Sequence, residues 1–144
     1  MNIQAERQAL KDLVDVFSNL ADEKKVTEQM VLFTPDAVVQ TFIGGKLVFD
    51  MAGTAQIERV FRDFLSGFHT VYHINGQHSS TLIDEQHATA VHYCAVKLVE
   101  TKEGKEILHD HSIRYHDTYV KTDGRWLIQK RIADFMISEQ RLLV

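Results

Sequence analysis

Ala88-Thr89-Ala90-Val91-His92-Tyr93-Cys94-Ala95-Val96-Lys97-Leu98-Val99-Glu100 holds no glycine or proline and is dense in β-branched and aromatic side chains. It is predicted to run as one long strand. Three stretches around it are also β-type in composition: Val71 to Ile83 before it, with Gly76 inside it, Ile107 to Lys121 after it, then Trp126 to about Ile137. The breaks are Asp84-Glu85-Gln86, Thr101 to Lys105 around Gly104, and Thr122-Asp123-Gly124-Arg125. Breaks this short require antiparallel neighbours, because a parallel crossover needs a dozen or more residues. Strands well beyond the usual length of about five or six residues twist and curl strongly, so the sheet is expected to be curved.

Upstream, Leu10, Leu13, Val14, Phe17, Leu20 and Ala21 recur at helical spacing, with Ile3 one heptad before Leu10. They predict an amphipathic first helix. Val26, Met30 and Phe33 repeat the pattern after Asp22-Glu23-Lys24-Lys25, and Pro35 stops a second, short helix by disfavouring helical geometry at Thr34. Ala37 to Phe42 and Lys46 to Met51, joined by Gly44-Gly45, read as a hairpin. Gly53-Thr54 opens a third helix whose stripe is Ile57, Val60, Phe61, Phe64, Leu65 and Phe68, with Gly67 near its end. The pattern is α+β: three helices in the amino-terminal half, packed on one face of a cone-like, curved antiparallel sheet. Helices laid across such a concavity can leave a deep small-molecule pocket.

With 144 residues, 44% of them hydrophobic and 25% charged, the chain suits one globular domain over residues 1–144. Sixteen Lys and Arg against twenty Asp and Glu give a net charge of -4, so there is no basic surplus for a nucleic-acid backbone. No stretch approaches the roughly 18 to 20 apolar residues of a membrane span, and the first residues lack an apolar signal core. The lone Cys94 forms no internal disulfide. The expectation is a cytoplasmic protein with no nucleic-acid or membrane partner and no cofactor.

The order of elements and several strings resemble the nuclear transport factor 2-like superfamily, and within it the SnoaL-like group. The strings are Leu32-Phe33-Thr34-Pro35-Asp36-Ala37-Val38-Val39, Gly44-Gly45-Lys46-Leu47-Val48-Phe49, and Arg114-Tyr115-His116-Asp117-Thr118-Tyr119-Val120 leading to Asp123-Gly124-Arg125-Trp126. The likeness covers nearly the whole chain. The enzymes it most resembles are those of the scytalone dehydratase and bile acid 7-alpha-dehydratase branch, which remove water from an apolar hydroxy-carbonyl compound with a histidine, an acid and usually a tyrosine. His73, opening His73-Ile74-Asn75-Gly76-Gln77-His78, is similar to the histidine, and Asp22 resembles the acid. Phe17 stands where the tyrosine is expected, and Val96 where dehydratases carry a further polar group.

An imidazole can take a proton near neutral pH, and a neighbouring carboxylate fixes its tautomer and stabilises the cation. His73 and Asp22 are the candidate catalytic pair. Alternation along the third long strand puts His109, His111, Ile113, Tyr115, Asp117 and Tyr119 on one face, which the resemblance turns toward the cavity. Tyr115 and His111 are candidates to bind substrate oxygen, with His92, Phe17 and Phe42 as further lining. Arg131 is a partner for Asp117 or for an anionic ligand, Trp126 an anchor, and Cys94 a buried hydrophobe. Two imidazoles on one face, His109 and His111, raise a metal as a question, with Asp117 or His92 as a third ligand, but nothing in the spacing demands one and none is expected.

Together with these residues, the resemblance implies a lyase or isomerase working on an apolar hydroxy-carbonyl compound, polyketide- or steroid-like, by metal-free acid-base catalysis. The alternative is a non-catalytic ligand-binding or protein-interaction module of the same fold, which Phe17 in place of tyrosine favours. The resemblance also implies a homodimer through the outer sheet face.

Overall fold

The stripe Leu10, Leu13, Val14, Phe17 and Ala21 is the buried face of helix α1, Ile3–Asp22. Asn2 caps it, its side chain accepting from the Ala5 backbone N–H at 3.1 Å. The computed structural model describes residues 1–144, and after α1 the order is α2 Val26–Met30, β1 Phe33–Ile43, β2 Lys46–Ala52, α3 Thr54–Leu65, β3 Thr70–Leu82, β4 His87–Lys102, β5 Lys105–Thr122 and β6 Arg125–Leu142. Helix α2 is shorter than its apolar spacing suggests. Phe33 already belongs to β1 and pairs with Ile128 of β6, while Pro35 follows two residues later.

Three hairpin turns have positive φ at both central residues: Gly44 and Gly45, Glu103 and Gly104, Asp123 and Gly124. That geometry matches the right-handed twist of the strands it joins. The long strands are therefore neighbours in a meander, and the sheet order is β2-β1-β6-β5-β4-β3. The sheet is mixed rather than wholly antiparallel, because β1 pairs with β6 in parallel. The rest of the chain separates those two strands, so the short-connection argument does not constrain them. Strand β6 also runs beyond Ile137 to Leu142, since β5 offers it partners as far as Ile107.

One irregularity governs the site. Between Asn75↔Cys94 and His78↔His92, two residues of β3, Gly76 and Gln77, face the single Tyr93 of β4. This bulge resets the alternation. Val71, His73 and Asn75 point inward before it, and His78, Ser80 and Leu82 after it, as their burial shows. Helix α1 packs on β3, and with α2 and α3 it covers the concave face over one continuous apolar cluster. No helix is long and apolar enough to cross a membrane.

Candidate active site

Between the helices and the concave face lies a cavity of about 140 Å³, and fifteen of its twenty lining residues are hydrophobic. Helix α1 contributes Phe17 and Ala21, α3 contributes Val60, Phe61, Phe64 and Leu65, and β4 contributes Val96 and Leu98. Phe49 and Phe64 are 39% and 43% exposed, which puts the mouth of the hollow beside them. Its polar groups are few: Gln29, Thr41, His73, His111 and Arg131, with the Tyr115 hydroxyl.

Asp22 is the last residue of α1, and the packing of that helix on β3 carries its carboxylate to His73. Asp22 Oδ1 lies 2.7 Å from His73 Nδ1, and Asp22 Oδ2 accepts from the His73 backbone N–H at 3.3 Å. The carboxylate thus holds both ring and backbone of one residue. Because an ionised carboxylate only accepts, Nδ1 carries a proton, and in the neutral ring Nε2 is the nitrogen with the lone pair. The two side chains are 27% and 13% exposed, so the pair sits at the wall of the hollow with little water around the ring.

On the other side, Arg131 and Asp117 form a buried bidentate ion pair with both N–O distances 2.8 Å. Arg131 lies over the rings of Tyr115 at 4.1 Å and Phe17 at 4.7 Å. Burial would raise the Asp117 carboxyl, but the guanidinium holds it well below the usual carboxylate range. The Tyr119 hydroxyl donates to Asp117 at 2.7 Å and accepts from His78 Nε2 at 3.0 Å. Burial, with His92 nearby, lowers the His78 imidazole to about 4. Burial raises the Tyr115 phenol, so it stays protonated and able to donate a hydrogen bond.

Of the lining candidates read from sequence, Phe17, Tyr115 and His111 face the hollow. His111 is fixed by Nδ1 against Ser138 Oγ at 2.8 Å, and burial lowers its pKa. His73, Val96 and His111 are successive partners across β3, β4 and β5. That ladder sets the two histidine backbones roughly 10 Å apart. Phe42 is not at the wall: Val39 and Thr41 face the hollow, and alternation turns Phe42 to the other side of β1. His92 also stands off it, stacked behind Tyr115 at 4.9 Å, with Nε2 on Asn75 Oδ1 at 3.1 Å. Its Nδ1 is 3.8 Å from Asp117 Oδ2, too far for a hydrogen bond. His109 turns to Glu100, and no three metal-ligating side chains gather anywhere in the chain.

Two polar residues of the site escaped the sequence reading. Gln29 looks like the solvent side of a short helix, yet it is 1% exposed and lines the cavity. Asn75 ties β3 to α1, donating to the Val14 carbonyl and Asp15 and accepting from Ser18. Neither position carries a local signal, since the burial of each polar side chain is decided by the packing of distant segments.

Residues 4–132 match the family model of the SnoaL-like domain. No curated protein matches the chain. Among solved structures, a scytalone dehydratase-like protein from Novosphingobium aromaticivorans is similar at a TM-score of 0.83 and 20% identity, over 98% of this chain and 91% of that one. A hexachlorocyclohexane dehydrochlorinase, LinA-type3, from Novosphingobium barchaimii gives 0.77 and 14%, over 96% and 91%. A cystatin-like-fold protein of unknown function from Nostoc punctiforme gives 0.71 and 19%, over 88% of each chain. At such identities the likeness is one of fold, whereas the family model covers most of the sequence. This chain belongs to the SnoaL-like domain family, within the nuclear transport factor 2-like superfamily.

Proposed function

We propose that the chain, acting as one domain over residues 1–144, catalyses proton abstraction from a small, largely apolar hydroxy-carbonyl compound, leading to loss of water or to isomerisation. The observation that carries this reading is the 2.7 Å contact between His73 and Asp22 at the wall of an apolar hollow. Two of the similar structures are described as a scytalone dehydratase-like protein and a dehydrochlorinase, both names of elimination chemistry. In the dehydration, His73 Nε2 takes the proton on the carbon beside the carbonyl. The C–H electron pair becomes the double bond as the C–O bond breaks, and the imidazolium returns its proton to the departing oxygen, which leaves as water. Asp22 stabilises the transient cation, and the Tyr115 hydroxyl or His111 polarises the substrate oxygen.

The volume narrows the substrate. A cavity near 150 Å³ holds one benzene-sized ring, so a hollow of about 140 Å³ suits a single ring rather than the fused rings of a polyketide or steroid. The test is a one-ring β-hydroxyketone incubated with the protein and followed by the ultraviolet absorbance of its enone. Enone is expected with the wild type and not with His73→Ala at unchanged melting temperature. Equal enone from both proteins would refute the assignment, as would none from either. The second reading, a non-catalytic binding module, rests on Phe17, whose ring packs on Phe33 at 5.5 Å and Phe61 at 6.2 Å and has no hydroxyl to offer a substrate.

Tyr72, Ile74, Tyr93 and Met136 stand exposed on the outer sheet face. An apolar strip of that kind fits pairing with a second copy, and light scattering at twice 16.5 kDa is the expected result. A monomeric mass at micromolar concentration would contradict it. A reducing, cytoplasmic setting fits the lone, buried Cys94, whose thiol burial pushes up to about 12.

A further inference from the structure

On the concave face of β1 and β6, Val39 pairs with Arg131, Thr41 with Ala133, and Ile43 with Phe135. Five of those six residues line the hollow, and alternation turns the sixth, Ile43, to the same face. Ile43 is nevertheless 40% exposed. Phe49, the partner of Thr41 on β2, and Phe64, one residue before the end of α3, line the hollow and are exposed as well. Three large apolar side chains thus carry the wall of the hollow past its mouth, where the end of α3 leaves it open. None of them can form a side-chain hydrogen bond, so this lip favours an apolar occupant over water.

We propose that the lip binds an unbranched apolar tail, so that the ligand class is one ring carrying an alkyl chain, with the ring inside and the chain leaving past Ile43, Phe49 and Phe64. The inference rests on the reading of the hollow as a substrate site and deepens it by naming what the ligand carries outside. Phe49 and Phe64 belong to the wall and to the lip at once, so a ligand in the hollow passes onto the lip without a break. Strand β3, which carries His73, and β2, which carries Phe49, are the two edges of the sheet. A ligand whose reacting end meets His73 therefore points its far end toward the lip. One ring fills a hollow of about 140 Å³, and any further carbon must lie outside it. A patch of three side chains is also far short of the roughly 20 to 30 residues a side of a stable protein interface.

The experiment titrates acetophenone, 4-ethylacetophenone and 4-butylacetophenone into the full-length protein by calorimetry, since their acidic methyl group lies at the end of the ring away from the alkyl chain. A fully buried methylene is worth about fourfold in affinity, and one covered on a single side about twofold, so wild type should bind the butyl compound about tenfold more tightly than acetophenone. In Ile43→Ser and in Phe64→Ser that ratio should fall to about threefold or less. Because the ratio is taken within one protein, a variant that loses stability or ring affinity still reports on the lip. Equal affinity of wild type for all three ketones, or a ratio that survives in both variants, overturns the tail site. A flat wild-type series with a dimeric mass that becomes monomeric in Phe64→Ser gives the lip to a second copy and overturns it equally. Binding of none of the three overturns it together with the hollow as a binding site. A ratio that depends on Ile43, without enone formation from the one-ring β-hydroxyketone, supports the tail site and sinks only the catalytic reading.

Discussion

Asp117→Asn is expected to destabilise the fold by about 3–5 kcal/mol, because it removes the only carboxylate bonded to a guanidinium that is itself 3% exposed. At this chain length such a loss corresponds to a melting temperature lower by about 10 °C or more. The cost comes from stranding a buried charge and not from the worth of the pair itself. Accordingly, Asp117→Leu combined with Arg131→Met should recover most of the lost stability. The same network makes stability depend on pH in two separable windows. His78 is lowered to about 4 in the folded protein, so below pH 6.5 the unfolded chain takes up a proton that the fold refuses. Stability therefore falls as pH drops from about 6.5 to about 4 and stops falling from this source once folded His78 is protonated. The loss is about 1–3 kcal/mol, reduced by the partial exposure of the ring. His92 and His111, also lowered by burial, act in the same direction. His78→Gln, which can still donate to Tyr119, should flatten part of that slope. Asp117 acts below it: its carboxyl is held down in the fold, so its stabilisation is intact above the unfolded value near 4 and disappears only in stronger acid. Thermal melts from pH 7 to pH 3 of wild type, His78→Gln and Asp117→Asn resolve the histidine window, and the Asp117 window opens only at the acid end of that range. A shift below about 2 °C for Asp117→Asn at pH 7 would mean that the pair is not sealed from water.

The architecture was legible wherever chemistry is local. The stripes of α1 and α3, the two positive-φ glycines between β1 and β2, and the proline-free runs from Val71 onward each reflect constraints within about twenty residues. Pairings between distant segments were not. Nothing in Phe33 to Ile43 signals a parallel partnership with β6, and the extra residues of β6 past Ile137 are polar enough to pass for a tail. The bulge at Gly76 and Gln77 left a glycine as its only trace in the sequence.

The candidate site divides the same way. Alternation along β5, which is uninterrupted against β4, put Tyr115 and His111 on one face, and the family likeness turned that face toward the hollow. Phe42 reads as lining because it is apolar on an element expected to face the cavity, and without knowledge of which face of β1 is covered that reading misses Val39 and Thr41, which stand at the wall. Asp22 and His73 are 51 residues apart, and no periodicity brings a helix end to a strand start. Only the likeness to known dehydratases suggested the pairing, and the docking of α1 on β3 accounts for it physically. Gln29 was invisible because burial of a polar helix residue is a tertiary event.

The second large effect is expected at His73 itself. A positioned general base contributes on the order of 10² to 10⁴ in rate, and Asp22 supplies both the tautomer and the charge that stabilises the imidazolium. Asp22→Asn can present its amide N–H to Nδ1, which forces the proton onto Nε2 and blocks the lone pair that faces the hollow. It should lower proton abstraction by at least tenfold with little change in melting temperature, since the amide matches the carboxylate in shape and its oxygen can still accept from the His73 backbone N–H. His73→Ala should remove the reaction.

The most direct measurement uses a compound whose only requirement is a base in an apolar pocket. Benzisoxazole loses its carbon-bound proton as its N–O bond breaks, giving a cyanophenolate read by absorbance, and as one benzene ring with a small fused heterocycle it stays close to the one-ring size suited to a hollow of about 140 Å³. Wild type should accelerate the ring opening at least 100-fold over buffer containing free imidazole, with the acceleration reduced in Asp22→Asn and gone in His73→Ala. Ring opening by His73→Ala at the wild-type rate, or no acceleration by the wild type, would contradict a proton-abstracting imidazole at the wall of this hollow.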